Sequence, residues 1–203
     1  MTKRTAGWTA AIVLVMAMTA RAQESPSGRA LTVCLTFSEG FELAAAASLK
    51  SGILAEATRI WQPLGVAVGV PEDFENACDR RILVKSDREA RPEDASRETA
   101  IAWVPFVAGR ARRVVFVRMS HAVALVDAFK PGIRPPALTE TLLTKLVGRS
   151  LAHELGHMLL NSLGHDRSGL MRARYGADDV LRDLPSAYAL NAGQLDRLSG
   201  LTK

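Results

Sequence analysis

Three features of this 203-residue chain predict an α+β domain. An alternating segment, LTVCLTF, opens the folded part. A long alanine-rich stretch with apolar residues at helical spacing follows it. Three further strand-like runs plus a short one then precede a second long helical stretch, which holds three of the chain's four histidines in or just beyond it. One strand, a helix, four strands and a helix fit a single domain, the prior for this length.

In chain order, residues 1–22 come first. Lys3 and Arg4 stand before a run of about a dozen apolar or small residues, and Ala20-Arg21-Ala22 offers small side chains for cleavage. This reads as a secretory signal peptide removed after Ala22. The alternative is a membrane anchor, but the run is shorter than the roughly 20 residues a spanning helix needs. The folded domain is expected over 23–203. In LTVCLTF (31–37), Leu31, Val33, Leu35 and Phe37 share one face, so it is a strand. FELAAAASLKSGILAEATRIW (41–61) is predicted as one helix on the spacing of Leu49, Ile53, Ala57 and Ile60, ended by Pro63. Gly65 turns the chain into a second strand, VAVGV (66–70), and RRILVKS (80–86) is a third. SDREARPEDASRE (86–98) is charged and poor in apolar residues, hence an exposed loop. IAWVPFV (101–107) is a fourth strand, and Pro105, lacking an amide donor, puts it at a sheet edge. RVVFVR (113–118) is a fifth. KPGIRPP (130–136) is a linker, and a helix runs from about Ala137 to at least Leu159. ADDVLRDL (177–184) offers a helical turn or two before Pro185. A final helix lies in LNAGQLDRL (190–198), with Asn191 as N-cap, Gln194 closing a capping box, and Leu190 and Leu195 placed for a hydrophobic staple.

Charge and cysteines narrow the function class. The net charge of +5 includes Lys3, Arg4 and Arg21; without the leader, 26 basic residues less these three leaves 23 against 21 acidic, or +2. The arginines at 110, 112 and 113 read as a solvated turn rather than a clustered basic face, so nucleic-acid binding is not expected. No second apolar segment predicts a membrane association after cleavage of the leader, and the chain is expected to be monomeric. In an exported protein the two cysteines, Cys34 and Cys78, read as a disulfide, worth roughly 3–4 kcal/mol on chain entropy, against an alternative of two buried thiols. Export implies the periplasm or the extracellular space.

The chemistry lies in LAHELGHMLLNSLGHDRSGLM (151–171). Residues four apart on a helix stand one above the other, about 6 Å along the axis, so His153 and His157 reach one metal ion. Glu154, about 100° around the helix from His153, stands beside the metal instead of binding it. Neutral imidazoles hold Zn²⁺, the metal acidifies water, and a carboxylate carries the proton: HExxH on a helix therefore describes a hydrolytic mechanism. On a continued helix His165 would lie about 12 Å beyond His157 and could not share the ion. The chain must leave the helix and fold back. Asn161 tolerates a left-handed conformation and Gly164 has no steric bar to one. Metal ligands His153, His157 and His165 with catalytic Glu154, around one Zn²⁺ per chain, are the expectation. His121 is expected to be a surface or loop residue.

HExxH, a turn, a third histidine and then a methionine resemble the metzincin zinc metallopeptidases. The usual third ligand lies six residues after the second histidine, with a glycine three residues after it; here the gap is eight and Leu160 takes the glycine's place. The ending HDRSGLM (165–171) resembles more closely a group of bacterial exported metzincin-like proteins with longer spacing, with Asp166 where serine is usual. The resemblance implies a mixed five-stranded sheet, a long helix after the first strand and an active-site helix after the fifth. It implies a small C-terminal subdomain (about 161–203) after an N-terminal one (about 30–160), and Met171 as the Met-turn residue beneath the site. It also implies that residues 101–107 form an antiparallel edge strand that binds a peptide or protein substrate by strand addition. Some members carry a tyrosine two residues past the methionine, here Ala173; Tyr175 is a candidate for the same oxyanion- or zinc-facing role.

The expected activity is that of an exported zinc metalloendopeptidase. Two alternatives stay open: a secreted zinc-containing binding module without catalysis, for which Glu154 would have no use, and a zincin whose third ligand is Asp178, Asp179 or Asp183.

Overall fold

A computed structural model describes residues 30–94, 99–129, 135–175 and 185–201. The leader expected over 1–22 and the helical turns expected over 177–184 lie outside these residues. The fold is α+β around a mixed five-stranded sheet in the order β2-β1-β3-β7-β4, comprising β1 (Leu31–Phe37), β2 (Val66–Gly69), β3 (Arg80–Ser86), β4 (Ala102–Trp103) and β7 (Val114–Val117). β2, β1, β3 and β7 run parallel, and β4 joins β7 antiparallel at the edge with Ala102 opposite Val117.

Alternation along the strands separates two faces. Val33 and Leu35, Val84, and Val115 and Val117 enter the main core with the helices. Val114 and Phe116 turn to the other face, where Phe116 stacks on Trp103 at 5.4 Å between ring centroids. Cys34 alternates with Val33 and Leu35 and is bonded to Cys78, which ties β1 to the segment just before β3.

The segment expected as one helix from 41 to 61 is two: α1 (Glu39–Ala44) and α2 (Ala47–Trp61). Ser38 caps α1 and donates its hydroxyl to Glu89, which also accepts the Ser86 amide, so α1 is pinned to the end of β3. α2 is directed instead by Leu49, Ile53, Ala57 and Ile60 in the core. Ala45 and Ala46 take extended backbone between these two demands, and an alanine run carries no period that would mark the break.

The strand expected over 101–107 also divides. Ala102 and Trp103 pair with β7; beyond Val104 and Pro105 the chain leaves the sheet, and β5 (Phe106–Val107) pairs with β6 (Arg110–Ala111) in a separate hairpin. Its turn residues Ala108 and Gly109 are both left-handed, as a two-residue hairpin turn demands.

After β7 the chain forms α3 (Met119–Phe129), a helix not anticipated from the sequence, with Met119, Ala122 and Val126 in the core. α4 (Pro136–Leu159) starts with Pro136 at its first turn, where a missing amide costs nothing. It packs on α2: the Trp61 indole N–H donates to the Ala152 carbonyl at 3.0 Å, and Gly148 lets Glu56 approach the helix. α5 (Ala192–Ser199) has the expected capping box between Asn191 and Gln194. Leu190 is buried, whereas Leu195 is 39% exposed. Among the described residues no helix is long and apolar enough to cross a membrane.

Candidate metal centre

His153, Glu154 and His157 lie in the buried C-terminal half of α4. One helical turn separates the two imidazoles, and their Nε2 atoms stand 3.0 Å apart. The helix ends at Leu160, and Asn161 takes φ 44°, the left-handed conformation anticipated there; Gly164 is not in that region. The chain doubles back and delivers the His165 Nε2 to 3.2 Å from that of His157. The three ligand atoms all lie within 4.8 Å of one another. His121, on α3, is outside this group.

Two backbone carbonyls set the tautomers. His153 Nδ1 lies 2.7 Å from the Leu170 carbonyl oxygen and His157 Nδ1 lies 2.6 Å from that of Ser162. A carbonyl only accepts, so both Nδ1 atoms carry the proton and, in the neutral rings, both Nε2 atoms present bare lone pairs. Burial holds the His153 imidazolium down to about 4, aided by the neighbouring His157 and opposed by the Leu170 carbonyl. Burial lowers His157 as well. Neutral imidazoles whose lone pairs converge at 3.0 Å repel one another, and a shared cation relieves that repulsion. The donor set therefore fits a metal ion that accepts imidazole nitrogen.

Glu154 is 8% exposed, and its Oε2 accepts the Val104 amide at 3.1 Å. Burial pushes its carboxyl up to about 8, against the pull of that amide. The hydrogen bond comes from the edge strand. Ile101 turns its carbonyl inward to the Arg118 amide, so strand alternation turns the Ala102 peptide groups and the Val104 amide away from β7, the Val104 amide toward Glu154. Phe106, the first residue of the hairpin, meets His157 edge to face at 6.5 Å.

Met171 is 1% exposed and lies under α4. Its sulfur occupies the place a side chain at Gly156 would need, so the glycine inside HELGH is a packing requirement. Gly169, at φ 77°, lets Leu170 and Met171 turn beneath the histidines, and a Cβ there would strike the Ala189 carbonyl. Tyr175 donates its hydroxyl to Leu170 O, the same oxygen that holds His153, and its ring meets His153 edge-on at 5.9 Å. Its placement supports a ligand from behind.

Further residues around the site escaped the sequence reading. Arg149, one turn before His153, donates to Glu56 of α2 at 2.6 Å and lies over the Tyr188 ring, which stacks on Tyr175. A charged residue on an otherwise apolar helix face was the available signal at both Glu56 and Arg149. Asp178, Asp179 and Asp183, the alternative third ligands, lie outside the described residues. No protein-family model matches the chain, and no curated protein matches it.

Proposed function

We propose that this chain is an exported zinc-dependent peptidase of metzincin-like fold. The observation that carries the reading is the convergence of three imidazole nitrogens beside a buried glutamate that is itself bonded to the edge strand. His153, His157 and His165 would hold the ion, and three neutral imidazoles suit Zn²⁺. A bound zinc ion supplies Lewis acidity, acidifying water and polarising a carbonyl. Glu154 moves the proton. The Val104 amide holds Oε2, and the carboxylate, in its ionised form, would take a proton from water and return it to the departing amine. Strand addition at β4 (Ala102–Trp103) would lay an extended peptide beside Glu154 through the outward Ala102 peptide groups. The Cys34–Cys78 bridge supports an oxidising compartment, periplasmic or extracellular.

The test is metal analysis combined with cleavage of a diverse peptide library. One zinc per chain and chelator-sensitive cleavage are expected. Stoichiometric zinc with no cleavage of any peptide would replace the peptidase by a zinc-containing binding module. No metal after reconstitution would overturn both.

A further inference from the structure

The three histidines differ in burial and in the element that carries them. His153 and His157 are buried on a continuous helix and each is fixed through Nδ1 by a backbone carbonyl. His165 is exposed, on a loop whose neighbours Leu163 and Gly164 are exposed too. Leu163 is 64% exposed, so core packing does not place this loop. Ordering an exposed loop costs backbone entropy, which subtracts from metal affinity unless the loop is already fixed.

Within the loop the Ser162 hydroxyl accepts the Gly164 amide, and two further side chains tie the loop to distant elements, one at each end. Asn161 ends α4 in the left-handed conformation, and its Oδ1 accepts the Ala111 amide of the β5–β6 hairpin at 3.1 Å. The same hairpin sets Phe106 against His157. On the far side, Asp166 adjoins His165. Its Oδ2 accepts Asn191 Nδ2 at 2.9 Å and Gln194 Nε2 at 2.5 Å, the two residues that cap α5. Its amide donates to the Met171 carbonyl at 2.7 Å. The loop is thus tied to the hairpin before His165 and to the last helix after it. The partners are far away in sequence, and none of them lies in α4 or the five-stranded sheet.

We propose that Asn161 and Asp166 are positioning residues that hold His165 in reach of a divalent cation shared with His153 and His157. The proposal rests on the metal-site reading given above. It makes the hairpin and α5 supports of the third ligand.

The test measures Zn²⁺ affinity of the full chain by competition with a chromophoric chelator, and the absorption of the Co²⁺-loaded chain as a signature of ligand geometry. Asn161→Gly keeps the left-handed backbone without strain and removes the acceptor, while also loosening the backbone at that position. Asp166→Ala removes the other anchor. Each is expected to lower Zn²⁺ affinity roughly 10–100-fold, as loss of supports around a metal site does. The Co²⁺ spectrum should shift away from the parent's. Asn161→Asp and Asp166→Asn, which keep an acceptor oxygen, should stay near the parent in both readouts. Far-ultraviolet dichroism of the metal-free variants separates a lost anchor from a lost fold. Parental affinity in both Asn161→Gly and Asp166→Ala would overturn the proposal while leaving the metal site standing. Equal losses in the conservative variants would overturn it too, since the acceptor would then not matter. A parent that binds neither ion would overturn the proposal and the metal-site reading together. A parent that binds zinc, responds to both anchors and cleaves nothing would sustain the proposal and sink the peptidase.

Discussion

At the scale of single residues, the site divides labour between groups that would bind a cation and one that would move a proton. Glu154→Gln tests the second role. The amide keeps the shape and an oxygen able to accept the Val104 amide, but it has no basic carboxylate. The variant should keep its zinc and lose turnover by roughly 10²–10⁴-fold, the usual scale of general acid–base catalysis. Cleavage at the parental rate would remove Glu154 from the mechanism. His165→Ala tests the first role: it should sharply weaken zinc binding, while His121→Ala on α3 should leave it unchanged. Zinc retained at full affinity in His165→Ala would disprove the third ligand. This part of the site was legible in the sequence because it is local. Four residues make one helical turn wherever the helix sits, and Asn161 is among the few residue types that enter the left-handed region at low cost. The bonds from Asp166 to Asn191 and Gln194, and from Arg149 to Glu56, depend on how distant elements pack, and no spacing in the chain encodes them.

At the scale of elements, α4 is positioned from α2 and from below. Gly156 leaves room for the Met171 sulfur. Gly156→Ala would drive a Cβ into that sulfur and displace Leu170, whose carbonyl holds His153. Overpacking of this kind costs about 1–3 kcal/mol, and the variant should bind zinc less tightly as well as melt earlier. An unchanged melting temperature would show that Met171 moves aside freely. Between α2 and α4 the link is ionic. Burial raises the Glu56 carboxyl, but hydrogen bonds and charge from Arg59 and Arg149 outweigh it and leave the group below its ordinary value; Tyr188 faces the same cluster. A depressed carboxylate contributes stability in full above its unfolded value near 4.5 and loses it as pH falls through the folded value. Stability should therefore decline in acid, and Glu56→Gln should flatten that decline. At neutral pH the same change should destabilise the fold, because buried Arg149 loses the carboxylate it donates to. Denaturant unfolding across pH checks both. The strand and helix order was legible from periodicity. The α1–α2 break, the β5–β6 hairpin and α3 were not. The first lies in an alanine run without period, and the second in a two-residue pairing too short to alternate. In α3, Met119, Ala122 and Val126 do keep helical spacing, but the remaining apolar residues blur it, with Val123 and Leu125 about 40% exposed.

At the scale of the whole molecule, the candidate metal centre and the disulfide lie against separate strands of one sheet. β4, bonded to Glu154 through its Val104 extension, is one edge; Cys34 sits on β1, separated from β4 in the sheet order by β3 and β7. Cys78 lies in the segment that crosses from β2 to β3, and its bond to Cys34 closes a loop with a sequence separation of 44. A bridge of that span acts chiefly on the unfolded chain, restricting it by roughly 3–4 kcal/mol, and leaves contacts elsewhere in the native state as they are. The Cys34→Ala/Cys78→Ala variant should therefore unfold at lower denaturant by that amount while binding zinc as tightly as the parent, so long as it is measured where both are folded. A large loss of affinity in the folded variant would mean that the sheet transmits strain from β1 to α4. Peptide mapping without reduction of protein taken from an oxidising compartment should recover the Cys34 and Cys78 peptides joined. Two thiols open to alkylation there would remove the bridge, and with it the physical support for export.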